Sequence, residues 1–309
     1  MQTPIRIGTR GSPLALVQAN MVAAALRDAH GLGEGDTLIV TVKTTGDKVQ
    51  DRPLAEIGGK ALWTKELDRA LAEDEVDCCV HSMKDVETIR PAAILLAALL
   101  PRADVRDRLI GAESIEALPR GARIGTSSPR RAAQLLNLRP DLDIDTLRGN
   151  VATRLAAVEE GRFDATLLAA AGLDRLGHRD IGHAIELETL LPAPQQGAIG
   201  IEILAERADL LPVFAAIDDI ETHRCVAAER VLLDMLGADC HSPVAALARI
   251  DGERMTIGAQ LLTNDGRESV AGSRGCPVDQ GEWAARELAK ALLADASAPI
   301  RALFAGAET

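Results

Sequence analysis

The chain begins with a short apolar run, Ile5 to Thr9, then a turn at Arg10-Gly11. Ser12-Pro13 follows at the head of an apolar pattern, Leu14, Leu16, Val17 and Met21, that suits one face of a helix. Ser fits an N-cap because its hydroxyl can accept from an unpaired N–H of the first turn. Pro fits the first helical position because the N–H it lacks is not needed there. The same construction returns at Arg123-Ile124-Gly125-Thr126, where Ser127-Ser128-Pro129 opens a helix carrying Arg130, Arg131, Leu135 and Leu136. A second feature follows each copy. Leu67 to Glu73 leads into Val76-Asp77-Cys78-Cys79-Val80-His81, and Leu155 to Glu160 leads into Phe163-Asp164-Ala165-Thr166-Leu167-Leu168. Each reads as a helix ending, an Asp and a buried strand.

Strands alternating with helices predict right-handed crossovers and mainly parallel sheets, and the repeat predicts two similar α/β domains. A boundary falls near Leu100-Pro101-Arg102-Ala103-Asp104. The Pro-rich stretch Leu191 to Gly197, just before the strand-like Ala198 to Ile203, marks a second crossing back to the first domain. After Asp218 the pattern changes to a helix over Thr222 to Met235 with Gly237 as its C-cap, then strands at Ala245 to Ile250 and Met255 to Leu262. Turns at Asp251-Gly252 and Asn264-Asp265-Gly266 and a last helix near Glu282 to Leu293 complete a separate α+β domain. The expected division is residues 1–100 with 197–217, residues 104–194, and residues 218–309. A length of 309 residues fits two or three domains.

Composition narrows the function. With 46 acidic against 34 basic residues the formal net charge is −12, and aromatics make up 2%, so neither the basic surface nor the stacking platforms of a nucleic-acid binder are expected. The longest apolar run, Ala92 to Leu100, falls far short of the about 20 residues a membrane helix needs, and no apolar stretch follows a basic start. A cytoplasmic protein without a membrane partner is expected. Five cysteines without a CxxC pair suggest neither a disulfide framework nor a zinc knuckle, and no HExxH or comparable spacing suggests a catalytic metal. Six of the 34 basic residues are Lys and the other 28 Arg, whose planar fork binds carboxylate or phosphate bidentately. An acidic protein so rich in Arg can hold a polyanion in a local cleft.

The Ser-Pro helix starts, with Arg10, Arg130 and Arg131 beside them, are candidate anion sites, because the first-turn N–H groups and the helix dipole both favour negative charge. Leu147-Arg148-Gly149-Asn150 with Thr153-Arg154 offers a third such turn, placed where open α/β sheets bind ligands. His81-Ser82-Met83-Lys84-Asp85 is the densest polar cluster and follows an apolar strand. Read locally, Lys84 and Asp85 are an ordinary loop ion pair. On spacing alone Cys240, in Leu236 to Pro243, is a structural or incidental cysteine, and the adjacent His241 is a weak nucleophile partner.

Taken in order, IGTRGSPLAL, GGKALWTKEL, VHSMKDV, GTSSPRR, LRGNVATR, AAAGLDRLG and PQQGAIGIE closely resemble the porphobilinogen deaminase (hydroxymethylbilane synthase) family, from Ile5 to about Val244. The resemblance implies two periplasmic-binding-protein-like α/β domains with a cleft between them and a smaller α+β domain presenting a cysteine. It implies a dipyrromethane cofactor joined by a thioether at the position of Cys240. On this primer porphobilinogen units lose ammonia and add in turn, until the linear tetrapyrrole hydroxymethylbilane is released. Asp85 matches the family's catalytic aspartate, which is also a cofactor-binding residue. Arg10, Ser12, Arg148 and Arg154 match substrate-binding or chain-binding positions; Lys84, Ser128, Arg130 and Arg131 match groups that hold cofactor carboxylates, and Arg175 and Gln196 match cleft residues. Trp63 stands where the family commonly has Phe. Ala238-Asp239 and His241-Ser242 replace the family's Gly-rich approach to the cysteine and the Gln after it, while Cys240 and Pro243 stay in register. A monomer is implied. The competing expectation is a non-catalytic two-lobed anion-binding protein, motivated by the duplicated α/β units alone.

Overall fold

The computed structural model describes residues 4–43 and 64–304. Gly58-Gly59-Lys60 and Trp63 lie outside the described residues. In chain order the first elements are β1 (Ile5–Arg10), α1 (Pro13–His30), β2 (Thr37–Val42), α2 (Lys65–Ala72), β3 (Cys78–Ser82) and β4 (Ile94–Leu99). Next come β5 (Asp107–Ile110), β6 (Arg123–Gly125), α3 (Pro129–Leu138), β7 (Asp143–Asp145), α4 (Val151–Glu159), β8 (Ala165–Ala169), α5 (Ala170–Arg175) and β9 (His183–Ala184). The chain ends with β10 (Ile199–Leu204), α6 (Leu211–Ala215), α7 (Ile220–Met235), β11 (Val244–Asp251), β12 (Arg254–Leu262), β13 (Ser269–Pro277), α8 (Gly281–Asp295) and α9 (Ala298–Leu303).

The two Ser-Pro starts fold as their chemistry predicts. Ser12 Oγ accepts from Ala15 N at the head of α1, and Ser128 Oγ accepts from Arg131 N at the head of α3, each with Pro in the first turn. The structure packs as two compact units, Met1–Ala103 with Ala198–His223, and Asp104–Gly197 with Arg224–Thr309. In the first unit a five-stranded sheet runs β2-β1-β3-β10-β4, and in the second another runs β7-β6-β8-β5-β9. The two orders are equivalent position by position. In both, four strands run in one direction and one, β10 or β5, is antiparallel to its two neighbours.

One strand in each sheet thus runs against the mainly parallel direction expected. The antiparallel strands are the ones that immediately follow the two crossings. No βα crossover feeds them from a neighbouring strand, so nothing forces them parallel. Each sheet builds its own core. In the first unit Ile5, Ile7, Ile199, Ile201 and Ile203 pack against Ala19, Val22, Ala23 and Leu26 of α1. In the second, Ile124, Ala165, Leu167 and Leu109 pack with Leu135 of α3. The second unit also holds the antiparallel sheet β11-β12-β13, whose inward residues Ala246, Ile257, Ala259 and Leu261 pack on Leu232 of α7 and on Ala285, Leu288 and Ala289 of α8. No helix among the described residues is long and apolar enough to cross a membrane.

Candidate functional site

In the first unit, β1 and β3 lie side by side and run parallel, so their C-terminal ends open on the same edge of the sheet. Arg10 ends β1, Ser12 caps α1, and Asp85 stands in the single 3-10 turn, Met83–Asp85, that follows β3. These three residues line one pocket, together with Gln18, His81 and Ser82. Asp85 is exposed there, and Lys84, the residue before it, is half-buried. Gln18 gives no signal in the sequence because it lies on the otherwise apolar buried face of α1, with Ala19, Val22, Ala23 and Leu26. Its amide donates to Ser82 Oγ at 2.7 Å, and Ser82 Oγ lies 3.1 Å from Gln18 Oε1, which fixes the end of β3 against α1.

The turn carrying Asp85 is pressed onto β10. Met83 is fully buried, and its N–H donates to Ala198 O at 3.1 Å. Gly200 is required opposite it, since a Cβ there would stand 2.9 Å from Met83 Cγ and closer still to its sulfur.

In the second unit the N-terminus of α3 is a buried charge cluster. Arg130 and Arg131 are 3% and 5% exposed and share Asp107, the first residue of β5, which is 1% exposed. Arg130 Nη1 donates to Asp107 Oδ2 at 2.8 Å and to Leu191 O at 3.0 Å. Arg131 donates through Nη2 to Asp107 Oδ1 at 2.7 Å and through Nη1 to Leu167 O at 2.9 Å. Gln196 Nε2 adds a third donor to Asp107 at 2.9 Å. Burial opposes ionisation of Asp107, but the two guanidiniums outweigh it and hold the carboxyl well below the usual carboxylate range. Two guanidiniums against one carboxylate leave an excess positive charge, and the buried Nε of Arg130 has no acceptor. Asp107 carried no sequence signal beyond being an acid in a short strand, so its part in the cluster was not foreseen.

Arg175, at the end of α5, donates through Nη2 to Gly197 O at 2.7 Å, and burial lowers its pKa to about 10. Its Nε is also buried without an acceptor. Arg148 and Arg154 share the turn after β7. Gly149 between them has φ +112°, Asn150 Oδ1 caps α4 by accepting from Thr153 N at 2.9 Å, and Arg154 Nε donates to Gly149 O at 3.0 Å.

Of the five cysteines only Cys240 is exposed. Burial pushes the thiols of Cys78 and Cys79 far up, which keeps them protonated and inert. The residues flanking Cys240 close a tight turn between α7 and β11. Asp239 N donates to Ser242 Oγ at 3.1 Å, Ser242 N to Asp239 O at 3.1 Å, and His241 N to Asp239 Oδ1 at 2.8 Å. Asp239 and Ser242, two of the substitutions around the cysteine, therefore build the turn that presents it. Among the described residues no group of His, Cys, Asp or Glu is placed to hold a metal ion.

Comparison with known proteins bears on the whole chain. Residues 5–211 match the family model described as porphobilinogen deaminase, dipyromethane cofactor binding domain, and residues 223–294 match the porphobilinogen deaminase C-terminal domain. The porphobilinogen deaminase of Sphingopyxis alaskensis is 57% identical, covering 98% of this chain and 97% of the relative. That of Paracoccus denitrificans is 47% identical over 94% of each. Among solved structures, a periplasmic substrate-binding protein of an ABC transporter from Coxiella burnetii is similar at 16% identity and a TM-score of 0.42, over 69% of this chain and 91% of that one. With both family models matched in order and relatives this similar along nearly the full length, the chain belongs to the porphobilinogen deaminase family.

Proposed function

We propose that this chain is the transferase of tetrapyrrole biosynthesis that deaminates porphobilinogen and joins four units head to tail on a dipyrromethane primer held at Cys240, releasing hydroxymethylbilane. The observation that carries the reading is the convergence of Arg10, Ser12 and Asp85 on one pocket in a chain of this family. We assign residues 218–309 as the domain that carries the primer, residues 1–100 with 197–217 as the domain that carries Asp85, and residues 104–194 as the third. A cytoplasmic monomer is part of the same reading.

The residues present fit a covalently held, polyanionic pyrrole group. Cys240 is the exposed thiol, and the Arg130-Asp107-Arg131 cluster has surplus positive charge with an unused donor at Arg130 Nε. Cys240 would hold the group, and Lys84, Ser128, Arg130 and Arg131 would bind its carboxylates. When bound it supplies the nucleophilic pyrrole carbon to which the first substrate unit is joined. Arg131 already donates from both terminal nitrogens, but each carries a second N–H that a carboxylate can take.

The rest of the chemistry belongs to the chain. Every porphobilinogen ring bears an acetate and a propionate, and Arg10 with Ser12 can orient these carboxylates at the pocket. Arg148, Arg154, Arg175 and Gln196 bind the growing chain, whose charge rises with each ring. When the aminomethyl C–N bond breaks, ammonia leaves with the bonding pair and the pyrrole is left cationic. Asp85, exposed at the pocket, accepts from the pyrrole N–H and stabilises that cation. Asp85→Asn keeps the shape and removes the charge. It is expected to fold and to retain the primer by intact mass, while turnover falls by at least about 100-fold. Product formation near that of the unsubstituted chain would contradict the role.

A further inference from the structure

We infer that Arg90 is a positioning residue for Asp85, clamping the far end of the Asp85 segment to the same strand that anchors its near end. The inference rests on the role proposed above for Asp85.

Residues 83–90 leave the end of β3 and carry Asp85. At the near end Met83 is buried over Gly200 of β10, and Val86 N donates back to Met83 O at 3.1 Å to close the turn. At the far end Arg90 reaches Glu202, two residues along β10 and therefore on the same face of that strand. The contact is a two-pronged fork, from Nε to Oε1 at 2.9 Å and from Nη2 to Oε2 at 2.8 Å. The same guanidinium donates to Asp68 Oδ1 of α2 at 2.6 Å and to Glu87 Oε2 within the segment at 2.9 Å, and Glu87 in turn accepts from Thr64 Oγ1. Glu202 also lies 3.1 Å from Nε2 of His81, which lines the Asp85 pocket. One half-buried arginine thus ties the Asp85 segment to β10 and α2.

Three carboxylates, Glu202, Glu87 and Asp68, face this one guanidinium. Removing it leaves buried negative charge uncompensated, so loss of stability and loss of positioning must be separated. The two effects differ in what they move. A destabilised fold lowers the amount of active protein. A misplaced Asp85 lowers kcat of every loaded molecule and leaves KM nearly unchanged, since the carboxylate acts mainly on the cation formed during reaction.

The test compares Arg90→Leu, Arg90→Lys and the double variant Arg90→Leu/Glu202→Gln as full-length, primer-loaded enzyme, with loading counted by intact mass. Arg90→Leu is expected to lower kcat per loaded molecule roughly 10- to 100-fold, the scale of an ångström-level misplacement, with KM within about twofold. The double variant removes the most deeply buried of the three orphaned carboxylates and should recover part of the lost thermal midpoint without recovering kcat. Arg90→Lys keeps the charge but loses the fork, and should fall between. If Arg90→Leu does not fold, the other two variants decide. A kcat per loaded molecule within twofold of the unsubstituted chain, or a kcat that returns with the midpoint in the double variant, overturns the inference. Failure of the unsubstituted chain to make hydroxymethylbilane would instead sink the proposed function.

Discussion

Arg131 donates to Asp107 through Nη2 at 2.7 Å and through Nε at 3.3 Å, and both side chains are withdrawn from water. The pair links the N-terminus of α3 to β5, the strand by which the chain enters the second sheet. Taking away Asp107 leaves two buried guanidiniums facing each other. Asp107→Ala is expected to destabilise by about 3–5 kcal/mol, the cost of breaking a buried ion pair from one side. Urea unfolding measures it, and a loss below about 1 kcal/mol would show that water or a shifted side chain compensates the cluster.

The same cluster sets an acid limit. Asp107 has its carboxyl depressed, so its contribution to stability is complete above the unfolded value near 3.9 and is lost as pH falls through the lower folded value. Glu202 behaves likewise. Burial alone would raise its pKa, but His81 and Arg90 outweigh that and bring it from 4.5 to about 2. Its contribution, on the order of 3 kcal/mol, is present above pH 4.5 and disappears between there and about pH 2. Stability measured from pH 6 down to pH 2 should decline over this window in the unsubstituted chain. The decline should be shallower in Glu202→Gln, and an unchanged slope would contradict the assignment.

Gly200→Ala places a Cβ against the thioether of Met83. Overpacking of this kind costs about 1–3 kcal/mol, and here the displaced side chain sits two residues from Asp85. Turnover per folded molecule should fall along with the thermal midpoint. The smaller side chain of Gly200→Ala/Met83→Ala should relieve the clash. A fully active Gly200→Ala would show that Met83 can move without carrying the turn.

Two arginines are expected to fail at different stages. Arg131→Leu should lower the fraction of molecules that carry the primer, because it strips a donor from the cluster proposed to bind cofactor carboxylates. Arg148→Leu, on the exposed turn around Gly149, should load normally and stall during elongation. Intact mass before and after a short exposure to porphobilinogen separates the two. Equal loading with unchanged elongation in both variants would contradict the division.

Much of this arrangement was legible in the sequence, because it rests on local chemistry. Ser12-Pro13 and Ser128-Pro129 specify helix starts through groups within four residues, and both helices begin there. Gly237 ends α7 with φ +60° as its position predicts. What stayed hidden depends on partners far apart in sequence. Thr37–Val42 and Asp107–Ile110 are short strands without a long apolar run, and Ser269–Pro277 alternates small residues too weakly to announce a strand. The direction of β5 and β10 follows from the crossings. Asp107 with Arg131 and Arg90 with Glu202 pair across 24 and 112 residues. Charge identity alone does not reveal such pairs, so Arg130 and Arg131 read only as anion-binding groups beside a helix start, whereas their guanidiniums are also partly engaged inside the fold.

The most direct test of a primer held at Cys240 is the intact mass of the purified chain beside Cys240→Ser, each compared with the 32.7 kDa of the sequence. A stable excess of two pyrrole units is expected on the unsubstituted chain and none on the variant. Equal bare masses that gain nothing on addition of porphobilinogen would contradict the transferase and favour a non-catalytic anion-binding protein.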